Sequence, residues 1–214
     1  MTKTGKIKAI VFDMDGVLID AKDWHYEALN RALNHFGFNI SRYDHLVTFD
    51  GLPTKAKLKM LSVEQGLPES LHEFLNDLKQ SYTMELVNAR CKPTFQHEYA
   101  LSQLHLGGYK LAVASNSVRN TVATMMEKSA LAPYLHLQLS NEDVAHGKPA
   151  PDIYLSTAER LGFKPQECLV VEDNPKGIES AERAGCPVMV VETVFDVNLE
   201  NIQKMIEEIE LAEL

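Results

Sequence analysis

The sequence predicts an α/β protein, a doubly wound parallel sheet with a block of helices inserted after its first strand. Three observations lead there. Residues 7–20, IKAIVFDMDGVLID, carry a short apolar, β-branched stretch straight into Asp13-Met14-Asp15-Gly16. Two later stretches of the same kind end in the same way: Tyr109 to Ala114 stops at Ser115-Asn116-Ser117, and Cys168 to Val171 stops at Glu172-Asp173-Asn174. A long segment after the first stretch shows helical spacing only, whereas helix and strand patterns alternate beyond Pro93. Such alternation indicates parallel βαβ units, because parallel strands need a crossover between them. Sheets of this kind hold ligands beyond the carboxyl ends of their strands, so three strands that each deliver polar groups there imply one shared site.

The elements follow in order. Ile7, Ala9, Ile10, Val11 and Phe12 form a near-continuous apolar run, the pattern of a strand buried on both faces. Trp24, Ala28, Leu29, Ala32, Leu33 and Phe36 then recur at helical spacing, and Gly37 ends the stretch. Leu58 to Leu61 and Leu71 to Val87 read as further amphipathic helices, set off by the turns Gly51-Leu52-Pro53 and Gly66-Leu67-Pro68. From Pro93 the order is helix Phe95–Leu106, strand Lys110–Ala114, helix Val118–Ser129, a weak strand near His136–Leu139, helix Pro151–Leu161, strand Cys168–Val171, helix Gly177–Ala184 and strand Pro187–Val191. A last amphipathic helix, Leu199–Leu214, buries Ile202, Met205, Ile206 and Ile209 and leaves an acidic face to solvent. The expected division is a core of residues 1–17 and 91–214 and a helical lid of residues 18–90.

At 214 residues with 45% hydrophobic content, the chain supports one good core and a smaller second unit. A formal net charge of −9 argues against general affinity for nucleic acid or an anionic membrane surface, since a negative field repels both and no basic patch is evident. The start, MTKTGKIKAIVF, has only a brief apolar run before the acidic motif, so neither a signal peptide nor a membrane span is expected. A cytoplasmic location is expected with it. Cys91, Cys168 and Cys186 are odd in number and lack CxxC spacing, which fits reduced thiols with no reactive chemistry.

Two carboxylates at a strand end point to phosphoryl transfer. Asp13 is the candidate nucleophile, because attack by a carboxylate divides one very slow displacement into formation and hydrolysis of an acyl phosphate. Phosphate monoester hydrolysis needs accelerations up to ~10²¹-fold, so positioning, a metal and acid catalysis are all called for. Asp15 suits the acid and base role, because two carboxyls so close resist ionising together. Gly16 lets the chain turn sharply. Ser115 and the backbone N–H of Asn116 precede a helix, where donors and the helix dipole favour phosphate. Lys148, within Gly147-Lys148-Pro149-Ala150-Pro151, is placed to neutralise the phosphoryl oxygens and Asp13. One lysine cannot offset Asp13, Asp15, Glu172, Asp173 and a phosphate dianion, so a hard divalent cation is implied, with Mg²⁺ the usual choice beside phosphate.

Taken together, Asp13-Met14-Asp15-Gly16-Val17, Ser115-Asn116-Ser117, Lys148-Pro149 and Glu172-Asp173-Asn174 resemble, in order, the four motifs of the haloacid dehalogenase superfamily. The resemblance is to members with a helical cap inserted after the first strand of a Rossmann-like core, such as phosphoglycolate phosphatases and β-phosphoglucomutases. It implies Asp13 as the phosphorylated residue, Asp15 as acid and base, and Ser115 and Lys148 as phosphate binders. It also implies Mg²⁺ held by the Asp13 carboxylate, the Asp15 backbone carbonyl and Asp173, with Glu172 helping directly or through water. Dehalogenases and phosphonate-cleaving members lack an acid two residues after the nucleophile, so Asp15 disfavours those activities. In the cap, Gly51 and Lys55 fall in a loop that resembles the substrate-specificity loop, and His25 falls where phosphatases and mutases of this group carry histidine. β-Phosphoglucomutases place an arginine where this chain has Thr54, which favours a phosphatase over a mutase. The expected function is therefore a Mg²⁺-dependent phosphatase of a small phosphorylated metabolite, most simply a sugar phosphate, working as a monomer or weak homodimer. A sugar phosphomutase and a non-catalytic phosphate-sensing module are the alternatives.

Overall fold

The computed structural model describes residues 6–49 and 51–212. Two compact units are present: the N-terminal stretch up to Asp20 joined with the chain from Lys92 onward, and a helical unit, Ala21–Cys91.

In the first unit, five strands form one sheet in the order β3-β2-β1-β4-β5, with β1 Ala9–Phe12, β2 Lys110–Ala114, β3 Leu137–Leu139, β4 Cys168–Glu172 and β5 Val188–Val190. Every pairing is parallel; Phe12 stands beside Val113 on one flank and Val171 on the other. The strands form because they are runs of Val, Ile, Leu and Ala that bury both faces. One face, including Ala9, Val11, Ala112, Ala114 and Val170, packs under Ile153, Tyr154 and Ala158 of α7 (Asp152–Leu161) and Ala181 of α8 (Pro175–Ala184). The opposite face, Ile10, Phe12, Leu111, Val113, Leu169 and Val171, is fully buried as well. On the flanks, α5 (Phe95–Leu106) packs against β2 and α9 (Leu199–Leu211), and α6 (Arg119–Lys128) against β3. The sheet is thus the doubly wound parallel α/β core that the sequence predicts. Its strand order reverses between β1 and β4, and that switch point is where an open α/β sheet leaves a crevice at its carboxyl edge.

The second unit is helical throughout its described residues. Helices α1 (Lys22–Asn34) and α4 (His72–Arg90) pack together, and α3 (Thr54–Gln65) adds Leu58 and Leu61 to a core with Leu29, Leu33, Ile40, Phe49, Leu67 and Leu75. A short α2 (Arg42–Asp44) leads into a π-helical turn, His45–Phe49, for which the sequence pattern gives no element. Ser41 starts it by accepting a hydrogen bond from the Asp44 N–H. Asn30 fixes the approach by accepting from the N–H of Ile40 and donating to its carbonyl, so the preceding loop is held by a side chain in place of a helical ladder.

Strand β4 runs one residue further than expected, through Glu172, and β1 begins two residues later than the apolar run that starts at Ile7. The expected last helix is seen as Leu199–Leu211; residues 213 and 214, like residues 1–5 and residue 50, lie outside the described residues. No helix among the described residues is long and apolar enough to cross a membrane. Cys168 and Cys186 are buried, and burial pushes both thiols up to about 12, which keeps them protonated near neutrality.

Candidate active site

The carboxyl edge of β1, β2 and β4 gathers Asp13, Asp15, Ser115, Asn116, Lys148, Glu172 and Asp173, all from the sheet unit. Asp13 follows β1 directly, and its N–H continues the ladder to the Val171 carbonyl at 3.0 Å, so the adjacent strand fixes its backbone. After it the chain folds back, with the Gly16 N–H bonded to the Ile19 carbonyl at 2.7 Å. Gly16 holds φ 94°, a left-handed conformation that only glycine adopts without strain.

Lys148 is the electrostatic hub. Its ammonium donates to Asp13 Oδ1 at 2.5 Å and to Glu172 Oε1 at 2.7 Å, and it is only 5% exposed. Asn116 fixes the lysine backbone from β2's end: Oδ1 accepts from the Lys148 N–H at 2.9 Å and Nδ2 donates to the Lys148 carbonyl at 3.2 Å. The side chain of Asn116 is therefore a clamp on Lys148. Ser115 Oγ accepts the Ser117 N–H at 3.0 Å, a bond that leaves its hydroxyl hydrogen as a donor.

Glu172 is held from four directions. Oε1 accepts from Lys148 and from the Tyr154 hydroxyl at 2.9 Å, and Oε2 accepts the N–H groups of Asp173 at 2.9 Å and Asn174 at 3.1 Å. Each oxygen thus takes two donors within the protein. The space is tight: a Cβ on Gly177 would fall 1.6 Å from Glu172 Oε1. Tyr154 also lays its ring 4.8 Å from the Lys148 ammonium, a cation–π distance.

Burial drives the Asp13 carboxyl up, reinforced by Glu172 and Asp15 and opposed by the Lys148 ammonium. For Lys148, burial acts downward but the attraction of Asp13 and Glu172 outweighs it, and the net shift is up. One lysine among this many acids leaves a surplus of negative charge. Oxygens of Asp13, Glu172 and Asp173 lie within 4.8 Å of one another, a hard-donor cluster that suits a divalent cation of the Mg²⁺ kind and not a soft thiophilic metal.

Three residues of this neighbourhood carry contacts for which sequence reasoning assigned no role. Ser117 donates from Oγ to Asp15 Oδ2 at 3.0 Å. Tyr154 and Gly177 are the others, joined to the site only by folding. The one available signal was Tyr154 on the buried face of a helix six residues after Lys148, since a buried tyrosine hydroxyl finds a partner.

The remaining candidates lie in the helical unit. Gly51 takes φ 68°, which explains a glycine in that turn. Lys55 is exposed in the first turn of α3, and His25 on α1 has its Nδ1 3.3 Å from Lys79 Nζ on α4.

The model for haloacid dehalogenase-like hydrolases matches residues 10–191, and the chain belongs to that family. A phosphorylated carbohydrates phosphatase of Thermotoga maritima is 29% identical over 182 residues, covering 84% of this chain and 82% of the relative. A phosphoglycolate phosphatase of Aquifex aeolicus is 29% identical over 179 residues, with 84% and 82% covered. The crystal structure of a β-phosphoglucomutase from Clostridium difficile superposes with a TM-score of 0.82 at 21% identity over 94% of this chain and 98% of its own, a likeness of fold.

Proposed function

We propose that this hydrolase is a Mg²⁺-dependent phosphatase that cleaves a small phosphate monoester, a sugar phosphate in the first instance, through an aspartyl phosphate on Asp13. The observation that carries it is the Lys148 ammonium between Asp13 Oδ1 and Glu172 Oε1 at the switch point of the sheet, with Asp15 two residues along and Asp173 alongside. An anionic nucleophile meeting an anionic phosphate needs such a fixed cation beside it. The Thermotoga relative's name supports the choice of carbohydrate phosphates.

In this reading Asp13 attacks the phosphorus while Lys148 neutralises charge on the nucleophile and a phosphoryl oxygen. Ser115 Oγ and the Asn116 N–H donate to the other phosphoryl oxygens, and Asp15 protonates the departing oxygen. Water then attacks the phosphoenzyme, with Asp15 as base, and Asp13 is released. Mg²⁺, when bound by the Asp13 carboxylate, the Asp15 carbonyl and Asp173, supplies charge neutralisation and in-line alignment. Glu172, whose oxygens already accept from Lys148, the Tyr154 hydroxyl and the N–H groups of Asp173 and Asn174, would hold the lysine and the Asp173 turn beside that ion. The helical unit is the cap, with His25, Gly51 and Lys55 recognising the part of the substrate remote from the phosphate. A monomer or weak homodimer in the cytoplasm completes the proposal.

A panel of phosphorylated metabolites, with phosphate release and isomer formation followed together in Mg²⁺ and in chelator, tests it. Phosphate release that needs Mg²⁺ is expected to dominate for every substrate. Isomerisation of a sugar 1-phosphate to its 6-phosphate, primed by a hexose bisphosphate and faster than phosphate release, would make the protein a mutase with the same core residues.

A further inference from the structure

We propose that Ser117 is a positioning residue for Asp15, directing the proton that Asp15 gives to the leaving group. The inference rests on Asp15 being the acid and base of the proposed reaction.

Ser117 is itself anchored at three points. Its N–H donates to Ser115 Oγ at 3.0 Å, its carbonyl accepts the Asn141 N–H at 3.1 Å, and its Oγ donates to Asp15 Oδ2 at 3.0 Å. The first two bonds tie it to the end of β2 and to the turn after β3, so the hydroxyl projects from a fixed backbone. Asp15 leaves β1 in the adjacent row, since Phe12 stands opposite Val113 in register. The bond therefore spans two neighbouring strand ends and fixes the rotation of the Asp15 carboxyl.

That fixation has a chemical consequence. With Oδ2 taken by the Ser117 hydroxyl, Oδ1 is the oxygen assigned to carry the proton. As the bond from Asp13 to phosphorus forms, the bond from phosphorus to the ester oxygen breaks; that oxygen keeps the electron pair and takes the proton from Asp15. In the second half, water forms its bond to phosphorus and gives its proton back to Asp15, while the electron pair of the breaking P–O bond returns to the Asp13 carboxylate. Ser117 gains and loses nothing. It holds the donor in line, and misalignment of a proton donor is felt in proportion to how much the leaving oxygen needs the proton.

The test compares kcat/KM for the wild type, Ser117→Ala and Ser117→Thr in Mg²⁺ over phosphate monoesters that run from p-nitrophenyl phosphate to simple alkyl phosphates. A nitrophenolate leaves without a proton, whereas an alkoxide does not. Ser117→Ala is expected to lose about tenfold more on the alkyl esters than on the nitrophenyl ester, a part of the roughly 10²–10⁴-fold that acid–base catalysis supplies. Ser117→Thr, which keeps the hydroxyl, should retain the wild-type dependence. A loss of equal size across the series, no loss, or a Ser117→Thr profile that follows alanine would overturn the assignment to Asp15. Wild-type protein that hydrolyses no member of the series would instead remove the phosphatase reading, and this inference with it.

Discussion

At the scale of single residues, Asp13 meets opposing demands. As the proposed nucleophile it has to be ionised, yet burial pushes its carboxyl up and Glu172 and Asp15 add to the effect, with only Lys148 opposing. A carboxyl raised in the folded state holds its proton more tightly there than in the unfolded chain. Its contribution to stability is therefore present at low pH and lost as pH rises through the folded value. A divalent cation bound at this cluster would compete with that proton for the same oxygens. Mg²⁺ should raise the melting temperature more at neutral pH than in mild acid, with stabilisation of about 2.7 kcal/mol when the ion is at 100 times its Kd. Thermal melts with and without Mg²⁺ across that pH range would show it, and an increment independent of pH would count against Asp13 as a ligand. Lys148 alone does not balance the site, because its ammonium is shared between Asp13 and Glu172.

At the scale of elements, β4 and α8 act as one device. Glu172 ends the strand, Asn174 caps the helix by accepting the Lys176 N–H, and Pro175 takes the first helical position, where no N–H is needed. The helix begins so close to Glu172 that residue 177 has no room for a Cβ. Gly177→Ala should expel the carboxylate from its four bonds, releasing Lys148 and the turn that carries Asp173. Turnover should drop by tenfold or more with a loss of about 1–3 kcal/mol in stability, read by chemical denaturation. Wild-type turnover in that variant would show that Glu172 does not organise the site.

Much at this scale was legible in sequence. Helix Phe95–Leu106 and strand Lys110–Ala114 appear at the expected bounds, because Pro93 and Gly107 delimit the helix and the strand is a continuous apolar run between Gly107-Gly108 and the polar Ser115-Asn116. The turn His45–Phe49 was not, since it shows no helical period and is held by Asn30, by Ser41 and by the burial of Phe49. Within the site, acids at strand ends announced themselves by position. Tyr154, Ser117 and Gly177 did not, because each matters through contacts to a different element, with Glu172 18 residues from Tyr154 and Asp15 102 from Ser117.

At the scale of the molecule, the proposed reaction assigns chemistry to one unit and recognition of the rest of the substrate to the other. All the charged groups at the strand ends come from the sheet unit, while Ala21–Cys91 forms a helical unit with its own apolar core. If Lys55 recognises the remote part of the substrate, Lys55→Ala should raise KM for the physiological substrate several-fold and leave hydrolysis of a small aryl phosphate nearly unchanged, because only substrates that use remote binding lose it. Steady-state kinetics on both substrates would decide this; equal losses on the two would place Lys55 in the general chemistry or in folding.

In the proposed reaction, phosphate passes through Asp13. Protein quenched in acid during turnover and treated with borohydride, which reduces an acyl phosphate to an alcohol, reports this directly by peptide mass spectrometry. Homoserine is expected at position 13, dependent on substrate, with no such modification at Asp15 or in Asp13→Asn. A phosphoryl group found on a serine or histidine, or steady hydrolysis by Asp13→Asn, would contradict it.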